Sequence, residues 1–273
     1  MGTEAGKRYG FVGAGVIAEV FVRRLLGSGL TSASRILAFD TNDAILARLA
    51  GSFGVRAVAN NREVVAGADV IFIAVPPMAV LQVLREAAAE FRDSHLVFSL
   101  AAAVPIARME EAIGKPVAVI RTIPNTPSWI GQGMTPFCVG DHVGPAEREA
   151  AMALLRTFGR IAEVPEEDMA IATALTAVGP TYIFPVIAAL SDAAVAHGLP
   201  PATALTAACQ VVAGAAQLVL ESKRSPEGLA LLTSLRTLDE PTAKQLFRQA
   251  VEDAHSKVLA TEAKLRSSSD KGS

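Results

Sequence analysis

The feature that most limits the fold is a short apolar strand running into a glycine turn, Tyr9 to Ala18, YGFVGAGVIA. From Val16 the apolar spacing becomes helical: Ile17, Val20, Phe21 and Leu25 share one face, and Arg23 and Arg24 fall on the other. A strand that turns into a helix over Gly-x-Gly-x-x-Ala opens a dinucleotide-binding βαβ unit. Gly13 permits the tight turn, Gly15 lets the backbone approach a pyrophosphate, and Ala18 lets the helix lie close to the strand. The phosphates then meet free N–H groups at the positive end of the helix. Gly13, Ala14, Gly15, Val16 and Ile17 are the expected phosphate contacts. A chance glycine turn is the competing explanation, but it does not account for the strand before and the amphipathic helix after.

The next strand, Arg35 to Asp40 (RILAFD), ends in an acid. A carboxylate at that tip accepts hydrogen bonds from the adenosine ribose hydroxyls and repels a 2′-phosphate. No Arg or Lys follows closely to offset it. NAD(H) is therefore expected to be preferred over NADP(H). The alternative is that Asp40 only forms a turn or caps a helix.

Asp69 to Val75 (DVIFIAV) is almost continuously apolar, the pattern of a strand buried on both faces of a parallel sheet. Further strands are expected at Val55–Ala59, His95–Leu100, Val117–Arg121, Thr135–Val139 and Arg160–Val164. Helices at Asp43–Ala50, Ala79–Phe91, Ile106–Ile113 and Ala146–Phe158 alternate with them. After Glu166 only helices are expected: Asp168–His197, Pro201–Glu221, Pro226–Leu235 and Pro241–Leu265. The fold class is α/β. An N-terminal Rossmann-type parallel-sheet domain, residues 1–165, precedes an all-helical substrate and dimerisation domain, residues 166–273. Ligands of such sheets lie at the carboxyl ends of the strands. That adds the Ala74, Val75 and Pro76 backbone and Asn125 to the cofactor-side candidates, with a purely structural role for the prolines equally open.

The chain is 51% hydrophobic and 19% charged with a net charge of −2, which builds a core and leaves no footprint for nucleic acid or an anionic membrane. Met169–Ala196 is apolar enough to be mistaken for a membrane span. Pro180, Pro185 and Asp192 interrupt it, and a buried helix or helix pair is expected instead, with no membrane partner. The start lacks the apolar run of a signal peptide, and Cys138 and Cys209 read as separate buried thiols, so a cytoplasmic protein is expected. The four histidines are scattered, and no metal site is expected.

Four segments together resemble pyrroline-5-carboxylate reductases over nearly the whole chain: FVGAGVIAE, VIRTIPNTPSWIGQGMT (Val119–Thr135), ALTAVGPTYIFPVIAALSDAAVAHGLP (Ala174–Pro200) and GAAQLVLES (Gly214–Ser222). The resemblance implies interlocking helical domains in a homodimer or higher homo-oligomer. It implies hydride transfer from NAD(P)H to a ring C=N bond of a small imine, most directly 1-pyrroline-5-carboxylate to proline. It also places Asn61 near the adenosine and Val75–Pro76 near the nicotinamide. There are departures. Pro76 stands where the family has Lys. Thr176-Ala177-Val178-Gly179-Pro180-Thr181-Tyr182 replaces Ser-Gly-Ser-Gly-Pro-Ala-Tyr. Thr233-Ser234-Leu235-Arg236-Thr237-Leu238-Asp239 replaces the Ser-Pro-Gly-Gly-Thr-Thr loop that cradles the substrate carboxylate, so both glycines are lost.

Imine reduction requires alignment and exclusion of water more than a strong catalytic acid, which is consistent with the lack of a His–Asp pair or carboxylate dyad. The substrate-side candidates are Thr176, Thr181, Thr233, Ser234, Arg236 and Thr237. The hydroxyls can instead be helix caps or packing groups. Arg236 either anchors a carboxylate in place of the lost glycines or is a solvated surface residue. Three functions stay open at this point: a pyrroline-5-carboxylate reductase, a reductase of another imine, and a non-catalytic dinucleotide-binding regulator.

Overall fold

The structure is a computed structural model that describes residues 6–269. Its elements, in chain order, are β1 (Tyr9–Val12), α1 (Val16–Gly27), β2 (Ile36–Phe39), α2 (Asp43–Phe53), β3 (Arg56–Ala57), α3 (Asn61–Gly67), β4 (Val70–Ile73), α4 (Pro77–Glu86), β5 (Leu96–Ser99), α5 (Ile106–Ile113), β6 (Ala118–Thr122), β7 (Gly133–Val139), α6 (Pro145–Leu155), β8 (Gly159–Glu163), α7 (Met169–Thr176), α8 (Pro180–Ala196), α9 (Pro201–Ser222), α10 (Pro226–Ala230) and α11 (Glu240–Ser269). The strands form one sheet in the order β3-β2-β1-β4-β5-β6-β7-β8.

Alternation along each strand feeds a separate core on each face. Tyr9, Phe11, Val70, Phe72, Leu96, Phe98, Ala118 and Ile120 point to the face covered by α1, α2 and α6. Val12, Ile71, Ile73, Val97, Val117 and Val119 point to the other. The rings of Phe11, Phe72 and Phe98 lie in register across β1, β4 and β5, 4.7 and 5.2 Å apart in sequence, and Phe21 of α1 meets Phe72 edge-on at 5.1 Å. On the opposite face Gly10 lets α3 approach: a Cβ there would stand 2.7 Å from Val64 and 2.8 Å from Ala68.

The first six strands are parallel, as the alternation of elements predicts. The last two are not: β7 runs antiparallel to β6, and β8 runs parallel to β7. The link from Ile123 to Gln132 holds one 3-10 segment (Thr126–Ile130) and is too short for the crossover that a parallel neighbour requires. Other expectations also change. Asp168–His197 takes the helix-pair form of the two expected, broken between Thr176 and Pro180, whereas Pro226–Leu235 is helical only to Ala230. A short helix, α3, forms where Asn60 caps the chain by accepting the Glu63 N–H.

By packing, the chain divides into one unit of residues 1–177 and 254–273 and a second of 178–253. The first includes α7 and the distal part of α11 because Met169 and Leu265 join the core on the α3–α5 face. In the second, α8 pairs with α9. The expectation that this apolar stretch is buried does not hold within one chain. Leu175, Phe184 and Leu190 are 60, 59 and 46% exposed, and Leu205 and Val211 of α9 are 51 and 63% exposed. The stretches Glu166–Ala196 and Pro201–Ser222 are long and apolar enough to cross a membrane by length and composition alone.

Candidate cofactor and substrate site

The order β3-β2-β1-β4 reverses between β1 and β4, and a ligand crevice opens at the carboxyl ends of strands at such a point. The Ala74 N–H donates to the Val12 carbonyl at 2.8 Å, and the Gly13 N–H donates to Phe39 at 2.8 Å, so β1, β2 and β4 end together. Gly13 has φ +98°, and a Cβ there would lie 2.7 Å from the Ala74 carbonyl oxygen. Only glycine satisfies both the conformation and the approach. Gly15, the N-cap of α1, has no side chain to cap the helix, and nothing lies within 4 Å of where its Cβ would be. The first-turn N–H groups at Val16 and Ile17 therefore adjoin open space, which suits a pyrophosphate.

Asp40 is half-buried beside this turn. One carboxylate oxygen accepts the Ala14 N–H at 2.8 Å, and the other accepts the Asn42 N–H at 2.8 Å. Asn42 in turn caps α2 by accepting from Ala44 and Ile45. Asp40 is thus both a turn-former and an acid at the strand tip. Each oxygen keeps a second lone pair for a ribose hydroxyl.

Ala74, Val75 and Pro76 follow β4 directly, and Pro76 leads into α4 without a side-chain cap. Asn61 begins α3 at the same edge of the sheet, its amide 3.4 Å from Glu86. The Asn125 amide is already engaged: Nδ2 donates to the Thr176 carbonyl at 3.0 Å, and Oδ1 accepts the Met134 N–H at 3.0 Å. Each amide atom keeps one further position, a second N–H on Nδ2 and a second lone pair on Oδ1. The cofactor-side candidates therefore gather at one end of the sheet.

The substrate-side candidates divide. Thr176 ends α7, and its hydroxyl donates to the Ala172 carbonyl. In the 178–253 unit the Thr181 hydroxyl donates to Val178, and Thr233, Ser234, Arg236 and Thr237 lie exposed between α10 and α11. The Arg236 guanidinium pairs with Glu240, four residues on at the start of α11, its Nε 3.2 Å away.

Sequence reasoning passed over one charged cluster. Arg121, 2% exposed, is the penultimate residue of β6 and faces the Val117–Val119 core. Its guanidinium bonds Glu166 at 3.0 Å and Glu262 at 2.7 Å. The same Glu166 oxygen accepts the Ile106 N–H at 2.8 Å at the start of α5. An arginine at the inward position of a strand was the available signal. His95 belongs elsewhere: it starts β5 at the amino end of the sheet, and burial pushes its pKa down to about 4, with the Arg92 charge adding to the effect. Burial likewise raises the Cys138 thiol to about 12, which leaves it unreactive.

A family model described as "Pyrroline-5-carboxylate reductase dimerisation" matches residues 166–261, and one described as "NADP oxidoreductase coenzyme F420-dependent" matches residues 8–103. A pyrroline-5-carboxylate reductase of Methanosarcina acetivorans is 31% identical over 90% of this chain and 94% of its own length. That of Escherichia coli is 31% identical over 96% and 99%. A Plasmodium falciparum pyrroline carboxylate reductase solved with NADP bound aligns with a TM-score of 0.84 at 23% identity, covering 96% of this chain and 100% of that one.

Proposed function

This chain belongs to the pyrroline-5-carboxylate reductase family, and from that premise we propose that it reduces 1-pyrroline-5-carboxylate to proline with a nicotinamide dinucleotide. The observation that carries the reading is the Gly13–Ile17 turn, held open over the start of α1 and tied by Ala14 to Asp40. The bound dinucleotide supplies hydride to the imine carbon. The protein's share is binding and alignment. Gly13, Ala14, Gly15, Val16 and Ile17 hold the pyrophosphate. Asp40 and Asn61 hold the adenosine end, and the Ala74–Pro76 and Asn125 backbone flanks the nicotinamide side.

NADH is the preferred cofactor, since the Asp40 carboxylate disfavours a 2′-phosphate. Thr176, Thr181, Thr233, Ser234, Arg236 and Thr237 face the substrate. Residues 1–165 serve the cofactor, and residues 166–273 serve the substrate and self-association. A second copy covers the exposed apolar side chains of α8 and α9, which explains their membrane-like composition without a membrane. A homodimer or larger homo-oligomer in the cytoplasm completes the reading; of the two thiols expected to be buried, Cys138 is buried and Cys209 is exposed in one chain.

The test is NADH oxidation at 340 nm on pyrroline-5-carboxylate, with proline identified by mass. No turnover with either dinucleotide rejects the function. A tenfold or larger preference for NADPH rejects the cofactor assignment alone.

A further inference from the structure

The segment between α10 and α11 lacks what an anion needs and displays what an apolar ligand needs. A backbone anion nest requires residues of positive φ. Among the described residues beyond Pro200, only Lys223 has one, and it lies before α10. Gly228 is helical. From Ser225 to Lys244 the carboxylates of Glu227, Asp239 and Glu240 outnumber the cations of Arg236 and Lys244. Both cations are engaged, Arg236 with Glu240 and Lys244 with Glu227 at 2.9 Å. A hydrogen bond from the Thr242 hydroxyl holds Asp239 below its usual range, and one from Lys244 does the same for Glu227. A substrate carboxylate meets a net negative segment whose nearest guanidinium is already shared.

The same segment turns leucines outward. Leu231, Leu232, Leu235 and Leu238 are 71, 65, 79 and 72% exposed. Leu235 and Leu238 flank Arg236 and Thr237 in the sequence, among the residues assigned to the substrate side. Polar loops do not normally carry such a run, and its apolar surface gains most when an apolar group covers it.

We propose that this protein also reduces cyclic imines that lack a carboxylate and carry a hydrogen or small alkyl group instead, recognised by Leu235 and Leu238. The proposal rests on reading the chain as an imine reductase whose substrate-facing segment includes Thr233 to Thr237. The C=N bond gains a hydride at carbon and a proton at nitrogen, two electrons in all, at the expense of one NADH oxidised to NAD+. The ring substituent takes no part in that balance, so its loss changes recognition and leaves the chemistry intact.

The test uses the full-length protein with NADH and three substrates: pyrroline-5-carboxylate, 1-pyrroline and 5-methyl-1-pyrroline, in which a methyl group stands where the carboxylate was. Absorbance gives kcat/KM, and mass spectrometry confirms proline, pyrrolidine and 2-methylpyrrolidine. The expected result is that 5-methyl-1-pyrroline lies within thirtyfold of pyrroline-5-carboxylate in kcat/KM. A larger preference for the carboxylate overturns the proposal and leaves the family reaction standing. Consumption of no imine overturns both. A Leu235→Asn, Leu238→Asn double variant should shift the kcat/KM ratio at least fivefold toward the carboxylate substrate, and an unchanged ratio in a folded variant also overturns the proposal.

Discussion

Replacing Glu262 by alanine tests whether the buried Arg121 cluster ties the distal part of α11 to the sheet. The guanidinium is 2% exposed and has two carboxylate partners, with Glu262 the nearer at 2.7 Å. Its Nε is buried with no hydrogen-bond partner. Removing one partner of a buried ion pair costs about 3–5 kcal/mol, because the remaining charge stays out of water. Glu166 remains bonded at 3.0 Å but is 35% exposed, so it offsets part of that loss. We expect Glu262→Ala to lower stability by about 2–3 kcal/mol, or a Tm decrease of roughly 4–12 °C for a protein of this size. Thermal melts by circular dichroism, at fixed protein concentration, measure it. The companion variant Arg121→Met, Glu262→Leu removes the two most buried charges and fills the space with apolar atoms, while Glu166 keeps the Ile106 N–H and its access to water. It should recover at least half of the loss, because desolvation of an unpaired charge is then absent. A Glu262→Ala change below about 0.5 kcal/mol, the size typical of a solvent-exposed pair, would refute the reasoning.

Gly13→Ala should weaken NADH binding more than tenfold by fluorescence titration, because its Cβ meets the Ala74 carbonyl and its φ is +98°. Asp40→Ser should raise the KM for NADH at least tenfold while improving NADPH much less. The change removes the 2′-phosphate repulsion but also loosens Ala14 and Asn42, and a clean inversion of preference would show that Asp40 does not hold the turn. Stability should fall as pH drops from 6.5 toward 4. The His95 pKa is lowered to about 4 in the fold, so the unfolded chain takes up its proton first. The contribution is present above pH 6.5 and reaches up to about 3 kcal/mol, and His95→Gln should flatten the dependence of the urea midpoint between pH 7 and 5. Cys138 should resist a thiol reagent at pH 8 until the protein unfolds, since burial raises its pKa to about 12.

Much of the α/β unit was legible because local spacing reports which face of an element turns inward. The switch from strand to helix at Gly13 and the unbroken DVIFIAV run predict β1, α1 and β4 directly. The direction of β7 was less visible, although the short link from Ile123 to Gln132 held the necessary clue. The cofactor side was legible for the same local reason: its residues follow strand ends. Asn125 was placed correctly after its strand, but the sequence could not reveal that its amide bonds Thr176 and Met134. The loop from Thr233 to Asp239 showed that its glycines were gone, while its outward leucines and the Arg236–Glu240 pair became visible only in three dimensions.

The sequence by itself determined the dinucleotide turn, the acid at the tip of the second strand and the change from alternating elements to helices. Each depends on contacts within a few residues, and periodicity records those contacts. The tertiary structure alone decided that Arg121 meets Glu262, 141 residues away, that Asp40 braces the glycine turn through Ala14, and that α8 and α9 leave apolar faces uncovered in one chain. Periodicity tells which side chains turn inward. It does not name the distant partner that satisfies a buried charge or covers an apolar face.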